Sequence, residues 1–242
     1  MSSQDRDYRF QTTQWSLILA ARDQSDQSAD EALASLCQRY WYPLFSFVRR
    51  QGFDFNTAQD ITQGFYTALL EKHYLKDVAQ EKGLFRSFLL KSIKHYIANQ
   101  RRFENAQKRG GGQAIVSIDY SQAEQRYQSE PSHELSADQI FDQQWALELL
   151  QQVMSDLSEE HAQSDKKELF AHLQIYLTGE ESTSYREIAG KLNLTEGAVK
   201  VAVHRLRQRF GQILRERIRD TVSTEEEIDA EIVSLFQAIQ MQ

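Results

Sequence analysis

Lys200, His204, Arg205, Arg207 and Arg209 stand within ten residues of one another. Side chains of these types share one kind of chemistry. Ammonium and guanidinium groups neutralise phosphate, and guanidinium or imidazole can also hydrogen-bond to the edges of bases. They act only if something holds them on one face, and the surrounding spacing supplies it. Val199, Val203, Leu206 and Phe210 recur at intervals of four, three and four, which predicts a helix with that stripe buried and the cations opposite. Thr195 can cap this helix, and Glu196 suits its first turn.

A shorter helix precedes it. Ser184 and Glu187 have the spacing of a capping box, and Ile188, Ala189 and Leu192 give one apolar side. Asn193 and Leu194 end it, because Asn tolerates the backbone geometry of a helix stop. A short helix, a tight turn and a longer helix with a basic outer face is the logic of a helix-turn-helix. The same pattern also occurs in helical proteins whose basic face is merely solvated, and the pattern by itself leaves both readings open.

Charge is distributed in blocks. The 242-residue chain carries a net charge of −7, yet residues 82–109 hold eight Lys or Arg against one Glu. Residues 184–219 hold nine basic and three acidic side chains. Between them, residues 110–183 have three basic and fourteen acidic groups, and residues 220–242 have six acidic groups and no basic one. Two positive patches on an acidic chain point to two local nucleic-acid contacts.

Two prolines, ten glycines and no run of alternating strand pattern predict an all-α protein. Cys37 is the single cysteine, which excludes an intramolecular disulfide, and its apolar helical neighbours make it a core thiol. The six histidines show no ligand spacing, no nucleophile or nucleotide-binding signature occurs, and no cofactor, metal site or enzymatic activity is expected. The glycines of Gln107–Gln113 lack a following Gly-Lys-Ser/Thr and read as a hinge. No apolar run has membrane-spanning length and the N-terminus has no apolar signal core, so a cytoplasmic protein is expected.

Along the chain, residues 1–11 read as disordered, and Thr13–Ala21 as a short helix with Trp15, Ile18 and Leu19 inward. A strong helical pattern follows from Ala29 to Gly52, with a kink or restart expected at Pro43. Asn56 and Gln59 read as a capping box for a helix reaching about Lys72, with Ile61, Phe65 and Leu69 on one face. Lys82–Phe103 repeats Phe85, Phe88, Leu89, Ile93, Tyr96 and Ile97 at helical spacing, with Lys91, Lys94, Arg101 and Arg102 around them. That face is either solvated or a grip for unstacked DNA, which needs cations for phosphates and flat rings for bases. Residues 114–138 read as an extended acidic tether. Gln139–Leu157 and Asp165–Leu177 are further helices, with a polar loop over Ser158–Ser164. Thr224 and Glu227 form a third capping box, for a helix with Ile228, Ile232, Leu235, Phe236 and Ile239 on one side.

Tyr185, Ile188, Ala189, Leu192, Leu194, Thr195, Gly197, Ala198, Val199 and Lys200, followed by His204, Arg205 and Arg207, resemble the C-terminal helix-turn-helix of sigma-70-family transcription initiation factors. The likeness is to the extracytoplasmic-function (ECF) group. Many members carry Ser-Arg where this chain has Val201 and Ala202. A second likeness lies upstream and in the same order as in the family. Thr57–Phe65 resembles the polymerase-docking segment of sigma region 2, with Gly64 in place of the usual acidic residue. Phe85–Asn99 resembles the segment that opens and reads the −10 promoter element, with Asn99 in place of the common Asp.

The resemblance implies two small helical domains, over 29–104 and 139–215. A short N-terminal extension over 1–28 precedes them, an acidic flexible linker over 105–138 joins them, and an acidic helical extension over 216–242 follows. It implies core RNA polymerase and promoter DNA as partners, with an anti-sigma factor or other regulator as a further candidate. By position, Asp60, Gln63 and Phe65 would face polymerase or support that surface. Arg86, Lys91, Lys94, Asn99, Arg101 and Arg102 would serve the −10 element. Thr195, Lys200, His204, Arg205, Arg207 and Arg209 would serve the −35 element. The C-terminal extension would pack on its neighbouring domain, dock a regulator or polymerase, or shield a basic block. The alternative from another class is a helix-turn-helix regulator, or a protein-binding adaptor, that does not load polymerase.

Overall fold

A computed structural model describes residues 15, 18, 27–71, 84–104, 120–129, 135–162, 167–178 and 183–240, with the side chains of 29, 101–104 and 129 excluded. Expectations for residues 1–11, for Leu19 and for the Gln107–Gln113 hinge lie outside these. Among the described residues every regular element is an α-helix: α1 Gln27–Arg50, α2 Phe55–Leu70, α3 Phe85–Glu104, α4 Ala123–Ser129, α5 Ala137–Ala162, α6 Lys167–Leu173, α7 Ile175–Thr178, α8 Tyr185–Leu192, α9 Glu196–Arg219 and α10 Glu226–Ile239. None of these helices is long and apolar enough to cross a membrane.

The chain forms two compact units: Met1–Trp145 with Arg219–Gln242, and Ala146–Ile218. In the first, α1 is unbroken through Pro43. The restart expected there does not occur. Pro43 sits in the buried run Tyr42–Val48, whose packing holds the helix together across the missing backbone donor. Trp15 packs edge-on to Phe85 and stacks on Phe88, with ring centroids 5.0 and 5.1 Å away, and Tyr40 meets Phe85 at 5.2 Å. Cys37 is buried, and burial pushes its thiol pKa up.

Two local readings change in this unit. The cap of α2 is Asp54, whose carboxylate accepts from the Thr57 N–H at 3.0 Å and the Thr57 hydroxyl at 2.8 Å. A carboxylate accepting both bonds is a stronger cap than the Asn56–Gln59 pair expected from sequence. Within the expected extended stretch, residues 123–129 are helical, with Tyr120 and Ala123 buried. Arg49 binds Glu124 at 2.9 Å, and the Arg126 guanidinium lies 3.7 Å from the Tyr42 ring centroid. These contacts fasten α4 to the core.

The C-terminal segment belongs to this first unit rather than to the helix-turn-helix it follows in sequence. The Asp220 carbonyl accepts the Trp15 N–H, and the Thr221 carbonyl accepts the Phe85 N–H, each at 3.0 Å. The second bond satisfies one of the orphan donors at the start of α3. Only half of the expected capping box forms at α10. Glu227 accepts from the Thr224 N–H at 3.1 Å, but the N-cap is Glu225, with no side-chain cap bond. Ile228 and Leu235 are buried as expected; Phe236 is 50% exposed, and Glu231 is buried in the stripe instead.

In the second unit α5 extends through Ser158–Ala162, where a loop was expected. The single helix expected over Asp165–Leu177 is two, α6 and α7, broken at Gln174. Arg217 holds Asp156 through two bonds, at 2.7 and 2.5 Å, which ties α9 to α5. The His161 ring stacks on Phe170 at 4.8 Å.

Candidate nucleic-acid interface

The helix-turn-helix is built from local signals. At the start of α8 both halves of the capping box form: Glu187 N–H to Ser184 Oγ at 3.3 Å, and Ser184 N–H to Glu187 Oε2 at 2.9 Å. The Ser184 N–H and side chain hold the Glu187 carboxyl below the ordinary glutamate range. Asn193 ends α8 at φ 52°, the left-handed geometry that Asn tolerates. Thr195 then starts α9 by accepting the Ala198 N–H at 3.2 Å. Val199, Val203 and Leu206 are buried, and Phe210 is half-buried.

Opposite that stripe, Lys200, His204 and Arg205 are exposed. Lys200 reaches its own helix at Glu196, 2.9 Å away, in a surface pair worth little energy. His204 and Arg205 have no hydrogen-bond or ion-pair partner among the described residues. Arg207 and Arg209, expected to serve the −35 element, are engaged inside the unit. Arg207 donates to the Tyr176 carbonyl at 3.1 and 3.3 Å. Arg209 grips Glu160 through two bonds, at 2.9 and 2.5 Å, which hold the Glu160 carboxyl below its ordinary range. Beside this face a groove of about 530 Å³ opens between α6 and α9, lined by Leu169, Phe170, Leu173, Val201 and Arg205 among others.

The first basic block is arranged differently. Arg86 lies at the start of α3 with its side chain 12% exposed. It donates through Nε and Nη2 to both carboxylate oxygens of Glu231, at 2.8 and 2.7 Å, and through Nη1 to Asp142 at 2.5 Å. Its guanidinium also stacks over Trp145, 4.4 Å from the ring centroid. Burial disfavours the Arg86 charge, but the bonds to Glu231 and Asp142 outweigh it and raise its pKa further. The structure therefore places Arg86 mostly out of solvent, where its donors are taken by carboxylates of this chain. Lys94 pairs with Asp138 at 2.6 Å on the surface, Asn99 lies 3.4 Å from the His95 ring nitrogen, and Lys91 is exposed. The Arg101 and Arg102 side chains lie outside the described residues.

On α2, Asp60 is exposed and Gln63 half-buried, one turn apart on the same helix. Phe65 is fully buried, with its ring 5.9 Å from Tyr96, so it seats α2 rather than meeting a partner. Gly64 has a physical reason. A Cβ there would collide with the Tyr96 hydroxyl, which accepts from Gln100 at 2.8 Å. Glu231 and Asp142 were missed as functional partners. Glu231 had a signal: it falls three residues after Ile228 and four before Leu235, on the stripe that must be buried. A carboxylate on that stripe calls for a buried cation.

A sequence profile of the ECF sigma factor family matches residues 15–216. The chain belongs to the ECF sigma factor family, whose members are polymerase-binding, promoter-specific initiation factors and not a class of enzymes. No curated protein sequence and no solved structure matches it. The matched span covers both units' helices from Trp15 to Glu216 and stops before α10.

Proposed function

We propose that the chain directs core RNA polymerase to promoters by reading two DNA elements with its two units. The observation that carries this reading is the outer face of α9, where Lys200, His204 and Arg205 project opposite a buried stripe. In a helix-turn-helix that face enters the major groove and the preceding helix braces it. Lys200, His204 and Arg205 meet the −35 element, with Thr195 fixing where α9 begins. Arg207 and Arg209 act one step back, orienting α9 through Tyr176 and Glu160. In the first unit Lys91, Lys94, Asn99, Arg101 and Arg102 serve the −10 element, and Arg86 holds α3 in place for them. Asp60 and Gln63 face polymerase, with Phe65 packed behind. The work takes place in the cytoplasm, and an anti-sigma factor or other regulator completes the set of partners.

The test is transcription in vitro. The purified chain is added to core polymerase from its own host with a genomic promoter library. Initiation that depends on the chain and starts at fixed positions supports the reading and reveals both elements. Failure to bind core polymerase, together with direct DNA binding by the chain alone, replaces it with a regulator that does not load polymerase. Within a working system, Asp60→Ala with Gln63→Ala should weaken polymerase binding and leave the folding of α2 intact.

A further inference from the structure

We propose that Val201 reads a thymine methyl group in the upstream promoter element, an inference that rests on the initiation reading above. The second helix of a helix-turn-helix offers the outward side chains of its N-terminal half to base edges. At about 100° per residue, Val199, Val203 and Leu206 point to one side of α9 and Val201 points roughly the opposite way. Those three residues are 0, 2 and 5% exposed, and Val201 is 50% exposed. Lys200 lies on one flank of Val201, Arg205 on the other, and His204 follows one turn on. The centre of a cationic face is therefore a branched hydrocarbon.

Helix chemistry gives no reason for it. A β-branched residue lowers helix propensity, and a half-exposed isopropyl group gains little from burial. Gly197 and Ala198, also exposed, precede it, and a Cβ added at Gly197 would meet nothing within 4 Å. Small residues at the tip of the helix allow close approach. In the major groove the apolar feature of a base-pair edge is the C5-methyl of thymine. Lys200, His204 and Arg205 have polar targets in the major groove, and Val201, which on its α6 side borders Leu169, Phe170 and Leu173, has that methyl as its apolar target there. The contact distinguishes thymine from cytosine and from uracil.

The experiment uses the full chain with core polymerase on a promoter obtained from the transcription selection. Each thymine of the upstream element is replaced singly by deoxyuridine, which deletes one methyl and keeps every hydrogen bond. Binding of a methyl-sized group scales to about a fourfold change in affinity. At one thymine the replacement should weaken binding about fourfold, and with Val201→Ala the same replacement should change nothing. A Val201 that merely lines the groove against α6 would not respond to the DNA methyl. The proposal is overturned if the element has no fixed thymine, if no deoxyuridine weakens binding, or if the sensitivity persists in Val201→Ala. Absence of any promoter binding by the polymerase complex would instead overturn the initiation reading itself, and this inference with it.

Discussion

The two basic helices of this chain look alike in sequence and differ in where their charge goes. Helix α3 begins with an arginine whose donors are taken by Glu231 and Asp142, and its Lys94 pairs with Asp138. Helix α9 keeps Lys200, His204 and Arg205 outward and turns Arg207, Arg209 and Arg217 toward Tyr176, Glu160 and Asp156. A cation count for a segment thus says little about how many cations a ligand can reach. What decides is the chain's own carboxylates, and the acidic blocks that dilute the net charge are where those carboxylates come from.

The largest expected effect would come from breaking the inward arrangement. Arg86→Ala leaves Glu231 buried without its partner, and losing one member of a buried pair costs about 3–5 kcal/mol. The urea unfolding midpoint of the first unit should fall accordingly. If Arg86 instead served DNA directly, promoter opening would be lost with the midpoint unchanged, and the comparison would fail. Ending the chain before Asp220 should destabilise the same unit, because it removes Glu231 together with the carbonyls that accept from Trp15 and Phe85.

Arg205→Ala tests the outward arrangement. Its side chain is exposed, so the unfolding midpoint should stay where it is. DNA binding by the polymerase complex should weaken by about 1–3 kcal/mol if Arg205 contacts a base, with preference relaxed at one position of the −35 element. If it contacts phosphate, affinity should fall uniformly across sequences, and the salt dependence should shrink by about one released ion. Unchanged promoter use would remove Arg205 from the interface.

Local signals made the outward helix legible. Ser184 with Glu187, Asn193 and Thr195 all act within a few residues of themselves, and helical period alone put Lys200, His204 and Arg205 opposite Val199, Val203 and Leu206. The inward arrangement was not legible, because Arg86 meets Asp142 across 56 residues and Glu231 across 145. Period could place Arg86 on a helix but could not show which distant carboxylates would reach it. Nor could period show that Tyr176 and Glu160, approaching from other helices, would engage Arg207 and Arg209. The cap of α2, expected at Asn56, lies at Asp54, where the Thr57 N–H and hydroxyl both donate to the carboxylate.

A smaller effect sharpens the picture of α3 as a helix whose polar groups serve its own fold. In an open helix Gly→Ala gains roughly 1 kcal/mol. Gly64→Ala should lose that gain, because the new methyl meets the Tyr96 hydroxyl. Tyr96→Phe removes the oxygen, and the ring carbon that remains lies at 3.5 Å from the same position, an ordinary contact. The double variant Gly64→Ala, Tyr96→Phe should therefore be more stable than the sum of the single changes predicts, as measured by a double-mutant cycle in urea.

The smallest effect concerns how the outward face is aimed. Helix α8 precedes α9 in the helix-turn-helix, and its start depends on an exposed carboxylate, Glu187, whose pKa is depressed by the Ser184 N–H and side chain. A depressed carboxyl contributes stability that is present above its unfolded value, near 4.5, and lost as pH falls through its lower native value. Glu187→Gln keeps an oxygen that can accept from the Ser184 N–H but gives up the charge. At neutral pH the wild-type chain should be slightly more stable than Glu187→Gln, and the gap should close in acid. A carbon-13 titration of the Glu187 carboxyl supplies the direct check, with a midpoint at the ordinary glutamate value as the contrary result. The start of α8 depends on this surface charge, whereas α3 is held by the mostly buried Arg86. That difference follows from burial: α8 buries only Ile188 and Ala189, so its caps set it.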